Sequence, residues 1–237
     1  MKGSNSNEAL NLYAQVEDLL GIKEYAPKLY KEFFSFLDKL EFNSLLDVGC
    51  GSGDFLQDIS NRYKIKNILG IDRSDYMIKV ARQKGVNAKN IELKKIDTRF
   101  DIITATFDMV NYLTPNELID FFNDLKRVIR NNGYFIFDVN SEFGLSDIAV
   151  GNFIAEDTNR FLAIESFYEN GIYDSNFTLF KKEENCYKKY CESIRQYYYS
   201  KDFFALLYGW EIVSMLPLKL YDLEEFDKII YIFKSKI

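Results

Sequence analysis

The sequence of 237 residues contains no histidine. This absence excludes catalytic systems in which an imidazole activates a serine or cysteine nucleophile, and it excludes zinc sites built on imidazole ligands. Acid–base chemistry in this protein therefore has to use Asp, Glu, Tyr, Lys or Cys. We expect no metal site.

Cysteine and proline are scarce, with three residues of each type. Cys50, Cys186 and Cys191 are odd in number and lack the spacing of metal ligands, so we expect reduced thiols. No Gly/Ser-rich linker divides the chain, and no internal repeat is visible.

Basic residues are in the minority, since 30 Lys and Arg face 36 Asp and Glu and leave a net charge of −6. This balance argues against a nucleic-acid partner or an anionic membrane surface, because both require a cationic face. The longest apolar run, residues 203–208, is too short to span a bilayer. Residues 1–7 are polar, unlike a signal peptide. We expect a cytoplasmic protein without a membrane partner.

Helical and strand patterns alternate through the first 140 residues. Apolar residues recur at helical spacing over residues 8–40, and Thr114, Pro115 and Glu117 form a capping signal for a later helix. The patterns predict strands at residues 45–48, 67–72, 90–96, 100–106 and 134–139, and helices at residues 55–63, 74–84 and 115–130. Alternation of this kind predicts a parallel sheet covered by helices on both faces.

The pattern changes after residue 140. Aromatic and polar residues alternate over residues 160–199, with hairpin signals at Asn170-Gly171 and near Glu184-Asn185. A short helix at 202–208 and strands at 211–215 and 228–233 then complete a sheet of seven strands. We expect a core made of residues 1–150 and 200–237, with N-terminal helices in 1–40. Residues 151–199 are expected to be an inserted antiparallel cap over the carboxyl edge of the sheet, where open α/β folds bind ligands.

A glycine-rich loop, residues 47–53 (DVGCGSG), separates the first strand from its helix. Glycine permits a tight turn and a close approach of a ligand to the main chain. The dinucleotide fingerprint G-x-G-x-x-G fails, because Asp54 or Leu56 stands where the third glycine belongs, and no Walker A sequence follows. Asp54 would repel a pyrophosphate, whereas an acidic residue before the loop suits a ligand with a cationic end.

The loop at 47–53, followed by a strand that ends in Asp72, resembles class I S-adenosylmethionine-dependent methyltransferases. Residues 106–113 and 133–141 look similar to small-molecule members with a β-hairpin cap, such as glycine N-methyltransferase and sugar-amine N,N-dimethyltransferases. The resemblance implies a Rossmann-like, seven-stranded, mostly parallel sheet. It also implies S-adenosylmethionine as cofactor, S-adenosylhomocysteine as product and a small-molecule acceptor.

The resemblance also implies a cofactor-binding set. Asp47 would orient the cofactor's ammonium group, and Asp72 would accept hydrogen bonds from both ribose hydroxyls. Asp97 stands in for the acidic residue expected beside the adenine amine, although it lies only three residues before Phe100. Gly49, Gly51 and Gly53 would pass under the methionine part of the cofactor, and Tyr13 would close over its carboxylate. Arg73 and Met77 would lie near the adenine, and Phe107 would lie beside the cofactor. Cys50, in the glycine loop, completes the set.

Four polar residues at strand ends are candidates for catalysis. Asn111 and Tyr112 suit the orientation of a polar acceptor, and Asp108 or Glu142 suits a general base for a hydroxyl acceptor. An amine acceptor needs only to be neutral when bound, so the lack of histidine favours N-methylation. The inserted cap favours a small substrate such as a sugar or nucleotide-sugar.

Two other functions stay open at this stage. One is a methyltransferase-like protein that binds without turnover, and the other, weakened by the broken fingerprint, is an NAD-dependent oxidoreductase. The negative charge and the absence of an Asn/Asp-Pro-Pro-Tyr/Phe sequence argue against DNA or RNA methylation. A monomer and a homodimer are both compatible with the sequence.

Overall fold

The computed structural model describes residues 5–236. The helices are α1 (Asn7–Ala14), α2 (Ala26–Leu37), α3 (Asp54–Arg62), α4 (Asp75–Gln83), α5 (Pro115–Val128) and α6 (Lys201–Ala205). The strands are β1 (Ser44–Val48), β2 (Asn67–Ile71), β3 (Ala88–Lys89), β4 (Phe100–Ala105), β5 (Ile129–Asn140), β6 (Gly151–Glu156), β7 (Arg160–Glu169), β8 (Ile172–Glu183), β9 (Cys186–Tyr197), β10 (Trp210–Leu218) and β11 (Lys228–Ser235).

The main sheet has seven strands in the order β10-β11-β5-β4-β1-β2-β3. The five strands from β1 to β5 pair in parallel, whereas β11 pairs antiparallel with both β5 and β10. The predicted Rossmann-like, mostly parallel sheet is therefore confirmed.

Helices cover both faces of this sheet, as the continuous burial of its central strands requires, since every residue of β1 is buried. Leu45 and Ile102 face one core with α2, α3 and α4, whereas their neighbours Leu46 and Ile103 face the other core with α5 and α6. Consecutive strand residues point to opposite faces, so each central strand contributes to both cores.

The predicted strand at 90–96 is wrong. The structure has no strand among these residues: the two-residue strand β3 lies just before them, and a 3-10 turn covers Leu93–Lys95. Leu93 and Ile96 are both buried and stand three positions apart, which matches one side of a 3-10 turn rather than one face of a strand.

Two other boundaries differ from the sequence patterns. The helical region 8–40 is broken by 3-10 turns around Gly21, whose φ is +69°. Helix α5 does contain the predicted capping box between Thr114 and Glu117, but it ends at Val128 instead of residue 130. Asn132 and Gly133, which lie between the predicted helix 115–130 and strand 134–139, form a bulge inside β5, between the pairs Phe100–Ile129 and Ile102–Tyr134.

A second sheet of four antiparallel strands, in the order β6-β7-β8-β9, follows the parallel part of the main sheet. We call it the cap sheet. Its hairpins turn at Asn170-Gly171 and Glu184-Asn185, as predicted. Helix α1 packs on the cap sheet, because Ala9, Leu12 and Val16 share a buried cluster with residues such as Leu162 and Ile194.

This arrangement gathers several chain segments at the carboxyl ends of β1, β2, β4 and β5. The glycine loop, the start of α4, the turn after β4, helix α1 and the cap sheet all meet there. In an open α/β sheet this edge is the usual ligand site. No helix within residues 5–236 is long and apolar enough to cross a membrane.

Candidate functional site

A cavity of about 1090 Å³ lies at this edge of the sheet. Its floor is formed by the glycine loop and by the ends of β2 and β4, and its roof is formed by α1, α2 and the chain between them. A volume near 1000 Å³ is at the upper end of the range for small-molecule sites. The cavity is therefore large enough for two ligands side by side.

Positive φ angles shape the glycine loop at the cavity floor. Gly49 (φ +74°) lies so close to Met109 that a Cβ would approach the Met109 Cγ atom to 2.4 Å. Gly51 (φ +50°) also lines the cavity, but a Cβ there would meet no atom within 4 Å. A side chain at position 51 would therefore project into open space at the floor.

The N–H groups of this loop are largely used within the protein. Those of Gly49 and Cys50 donate to the Ile71 carbonyl, that of Gly53 donates to the Cys50 carbonyl, and that of Gly51 donates to Asp72 Oδ2 at 2.9 Å. A pyrophosphate site requires such groups to be free. The loop therefore lacks the N–H cradle that a dinucleotide requires.

Asp72 lines the cavity beside the loop and organises two of its segments. Its Oδ2 atom accepts from Gly51, and its Oδ1 atom accepts from the Ser74 N–H at 2.7 Å. Burial raises the pKa of Asp72, while these two hydrogen bonds lower it. Each carboxylate oxygen has a second lone pair available for a hydroxyl donor. The Ser74 hydroxyl donates in turn to Asn11 on α1, which links the cavity floor to its roof.

Asp47, which was expected to orient the ammonium group, lies below the loop and does not line the cavity. The side chain is fully buried; Oδ1 accepts from the Thr104 hydroxyl at 2.7 Å, and Oδ2 has no partner among the described residues. Burial, with a smaller contribution from Asp72, raises the pKa of Asp47 to about 7. A buried carboxylate with an unused oxygen favours a positive charge above it.

Asp47 should make the stability of the protein depend on pH. Its pKa in the folded state, about 7, exceeds the usual value of 3.8, so the folded protein binds a proton that the unfolded chain has lost. The stabilising contribution is therefore lost as pH rises from about 4 through 7. The free energy of unfolding of Asp47→Asn, measured by urea unfolding, should therefore rise relative to that of wild type as the pH rises from 5 to 7. The exposed-site control Asp147→Asn should keep a constant offset, and a constant offset for Asp47→Asn would contradict the prediction.

The expected adenine end of the cavity is only partly built from the predicted residues. Arg73 and Met77 line it, but Asp97 is exposed and does not. The acidic residue found at this end is Glu92, followed by Leu93. The sequence contained a signal for this placement, because Glu92 directly precedes the buried Leu93 and lies well before β4.

The roof of the cavity carries aromatic and charged side chains. Tyr13 lines it as predicted, with its ring edge-on to Phe177 of the cap sheet. Sequence reasoning missed Tyr30, which packs against Phe107, and Lys23, whose Nζ lies 3.2 Å from Glu17 Oε2. Apolar spacing had marked the segment only as helix, which gives no direction for its polar side chains.

Hydrogen bonds fasten the roof to the cap sheet. The Asn5 amide donates to the Arg195 carbonyl at 2.9 Å and accepts from the Arg195 N–H at 2.7 Å, and it also donates to the Tyr112 carbonyl. Arg160 of β7 pairs with Asp18 in the chain after α1. The cap sheet thus contacts the roof, but none of its residues lines the cavity itself.

The four catalytic candidates are placed differently from one another. Tyr112 lines the cavity. Asn111 is fully buried and has both amide atoms occupied, donating to the Tyr197 carbonyl and accepting from the Asn140 N–H, so its expected role with the acceptor is corrected. Glu142 is exposed, does not line the cavity and accepts from the Tyr168 hydroxyl, so it is not a base at this site.

Asp108, the fourth candidate, forms part of a buried network. Its Oδ1 atom lies 2.6 Å from Lys228 Nζ, and its Oδ2 atom accepts from the Gln196 amide of the cap sheet at 2.5 Å. Lys228 also donates to Asp138 and to Asn140, each at 3.0 Å. Sequence spacing did not single out Lys228 or Asp138. Lys228 lies 90 residues after Asp138 and 120 residues after Asp108, so these side chains meet only in the folded chain.

Comparison with known proteins identifies similar sequences. Residues 45–133 match the family described as methyltransferase domain. The putative methyltransferase YqeM of Bacillus subtilis is 33% identical over 119 residues, which cover 46% of this chain and 47% of the relative. The chain spans about half the length, or less, of the first curated relatives that it matches.

Solved structures are similar over nearly the whole chain. An S-adenosylmethionine-dependent methyltransferase from Clostridium acetobutylicum aligns with a TM-score of 0.77 at 21% identity, covering 95% of this chain and 99% of that one. CalS10 from Micromonospora echinaspora, described as an amino pentose methyltransferase and solved with S-adenosylmethionine bound, aligns with a TM-score of 0.65 at 17% identity over 90% and 96% of the two chains. At these identities the similarity establishes the fold.

The cavity residues fit the cofactor of these similar proteins. The floor is open above Gly51, Asp72 presents carboxylate oxygens to hydroxyl groups, and the orphaned Asp47 oxygen below favours a cationic ligand over an anionic one. The occupied N–H groups of the loop disfavour a pyrophosphate. Residues suited to hold S-adenosylmethionine are therefore Gly49, Gly51, Asp72, Arg73, Met77 and Phe107.

Proposed function

We propose that this chain is a class I S-adenosylmethionine-dependent methyltransferase and that it transfers a methyl group to an amine of a small, sugar-like metabolite. The observation that carries the proposal is that one cavity is lined both by the cofactor residues Gly51 and Asp72 and by three tyrosines, Tyr13, Tyr30 and Tyr112. We further propose that residues 151–199 act as the cap over the acceptor site.

The walls of the cavity support transfer between two enclosed ligands. S-adenosylmethionine supplies an activated methyl group when bound, so the protein has to position an acceptor about 3 Å from that group and exclude water. Asn5, just before α1, is hydrogen-bonded to the cap sheet, and Asn11 of α1 accepts from Ser74 at the floor, so α1 is held to both.

The tyrosines that line the cavity suit an amine better than a hydroxyl acceptor. Burial is the largest cause that raises the pKa of Tyr13, Tyr30 and Tyr112. These hydroxyls stay protonated at neutral pH, so they orient a polar acceptor but do not remove its proton. An amine requires only a lone pair at the moment of transfer, whereas a sugar hydroxyl requires a strong base in the transition state.

The similarity to an amino pentose methyltransferase supports a sugar as the carrier of the amine. At 17% identity the similarity is one of fold. The acceptor class therefore has to be tested directly with matched compounds.

The test is an acceptor panel assayed for S-adenosylhomocysteine release. The panel pairs 2-, 3- and 4-amino-deoxy sugars, free and as nucleotide conjugates, with the hydroxy sugars of the same shape. We expect turnover with at least one amino sugar and at least tenfold less with its hydroxyl counterpart. Binding of S-adenosylhomocysteine without turnover on any acceptor would favour a non-catalytic binding protein. Binding of NAD alone would overturn the proposal.

A further inference from the structure

An ion pair in the roof of the cavity lies against the glycine loop of the floor. Lys23 Nζ lies 3.2 Å from Glu17 Oε2 within the roof. The same Nζ atom lies 3.5 Å from the Ser52 hydroxyl oxygen of the loop and 3.7 Å from Asp54 Oδ2 at the start of α3. All four residues line the cavity. A positive and a negative charge therefore stand side by side, facing the loop.

The chain between α1 and α2 brings these two charges together. Glu17 begins one 3-10 turn, Lys23 lies in the next, and Gly21 joins the two turns with a φ of +69°. Glycine adopts this left-handed angle without a steric penalty. Glu17 and Lys23 are six positions apart, too far for a pair on one face of a helix, so their contact depends on this turn.

Lys23 is the cation that serves the glycine loop. Three cationic side chains line the cavity, namely Lys23, Arg73 and Lys94. Arg73 follows β2, and Lys94 follows β3 and pairs with Glu92 at 2.7 Å. Of these three, only Lys23 has a side-chain hydrogen bond or ion pair to the loop in the part of the chain that the structure describes. An anionic group bound over the loop therefore has Lys23 as its cationic partner.

Glu17 is the most enclosed carboxylate beside Lys23. Its side chain is 22% exposed, and burial raises its pKa, whereas Lys23 lowers it. Two other carboxylates line this part of the cavity, but Asp54 already pairs with Lys84, and Asp58 is exposed. A partly desolvated carboxylate favours a second cationic partner. Glu17 is therefore suited to bind a positively charged group over the loop.

Resting on the proposed function, we propose that the Glu17–Lys23 pair recognises the amino-acid end of the cofactor. Lys23 binds its carboxylate, and Glu17 binds its ammonium group. S-adenosylmethionine and S-adenosylhomocysteine carry both groups on one carbon atom, so an adjacent cation and anion match them in charge. Glu17 thereby takes the contact that was expected from Asp47, which does not line the cavity.

Truncated ligands distinguish this role from a purely structural one. An ion pair that only fastened the roof would, when removed, weaken every ligand of the cavity by the same factor. Direct contact makes the loss depend on the group that the ligand carries. The ligands are S-adenosylhomocysteine, its decarboxylated analogue, its deaminated analogue and methylthioadenosine, which lacks both groups.

Each substitution should affect only the ligands that carry the matching group. Lys23→Met should weaken S-adenosylhomocysteine and the deaminated analogue by about tenfold or more, without weakening the decarboxylated analogue. Glu17→Gln should weaken S-adenosylhomocysteine and the decarboxylated analogue by about tenfold or more, without weakening the deaminated analogue. Neither variant should change the affinity for methylthioadenosine by more than about twofold. Lys23→Arg, which keeps the cation, should retain most of the affinity for S-adenosylhomocysteine.

Titration calorimetry of the purified full chain at neutral pH measures these affinities. The side chain of Lys23 is 46% exposed and that of Glu17 is 22% exposed, so both variants should fold, and melting temperatures check this. Lys31→Met and Glu24→Gln are the matched controls, because both side chains are exposed and neither lines the cavity. They should bind all four ligands within about twofold of wild type. Equal losses for all four ligands in Lys23→Met and Glu17→Gln would overturn the inference, as would unchanged binding of S-adenosylhomocysteine.

The outcomes separate this inference from the proposed function, because the binding experiment needs no acceptor. Group-dependent losses without turnover on any acceptor would support the inference and contradict the proposed function. Turnover of an amino sugar with equal losses for all four ligands would overturn the inference and leave the proposed function standing. Failure of the wild-type protein to bind S-adenosylhomocysteine would overturn both.

Discussion

Replacing Asp72 by alanine should weaken the binding of S-adenosylhomocysteine by about a hundredfold or more. The substitution removes the acceptor of the Gly51 and Ser74 N–H groups, as well as the oxygens offered to the ligand. Each hydrogen bond to a charged group is worth about 1.5–3 kcal/mol, and about 2.7 kcal/mol corresponds to a hundredfold change in affinity. Titration calorimetry of the purified protein measures the loss directly.

Asp75→Ala provides the matched control for this prediction. Asp75 lies three residues further on, in the first turn of α4, where its side chain is exposed. It does not line the cavity, so affinity for S-adenosylhomocysteine should stay within about threefold of wild type. Equal losses of affinity in the two variants would mean that Asp72 acts only through the stability of α4, and the ribose role assigned to it would fail.

Gly51→Ala should weaken binding of the same ligand by about tenfold to a hundredfold while the protein stays folded. A Cβ at position 51 meets no protein atom within 4 Å, so it projects from the cavity floor into the space that the ligand uses. Overfilling a close-packed site costs about 1–3 kcal/mol. The positive φ of Gly51 adds a loss of stability of about 1–2 kcal/mol.

Gly85→Ala separates the steric effect from the backbone effect. Gly85 has a φ of +81°, and a Cβ there also meets nothing within 4 Å, but it follows α4 on the surface and does not line the cavity. The melting temperatures of both variants should fall by similar amounts, and only Gly51→Ala should bind S-adenosylhomocysteine more weakly. Unchanged affinity in Gly51→Ala would show that the ligand does not pass over the loop, which would remove the main support for the cofactor site.

The sequence predicted the main sheet and the cap sheet well, because both depend on local patterns. Apolar runs such as residues 100–106 reflect burial on both faces, and the Asn170-Gly171 pair provides the backbone angles of a tight hairpin. The strand expected at 90–96 failed because Leu93 and Ile96 are compatible with two local conformations. Contact with the core, rather than propensity, selected the 3-10 turn.

The residues of the candidate site also differ in whether local sequence was enough to identify them. The glycine loop and Asp72 could be recognised because their chemistry lies in consecutive residues at a fixed spacing, where backbone geometry leaves little choice. Asp97, Asn111 and Glu142 were misplaced because proximity to a strand end does not fix the direction of a side chain. Asn111 satisfies the backbone of Tyr197 and Asn140 instead of facing the cavity.

Three chemical features can be identified from the sequence alone: a glycine loop unsuited to pyrophosphate, an acid after the second strand, and the absence of imidazole. How separate segments combine depends on the folded structure. Lys228, Asp108 and Asp138 have no fixed spacing, and their mutual attraction becomes effective only after folding has removed them from water. The roof over the cavity likewise depends on the packing of α1 against a cap sheet that begins more than a hundred residues later.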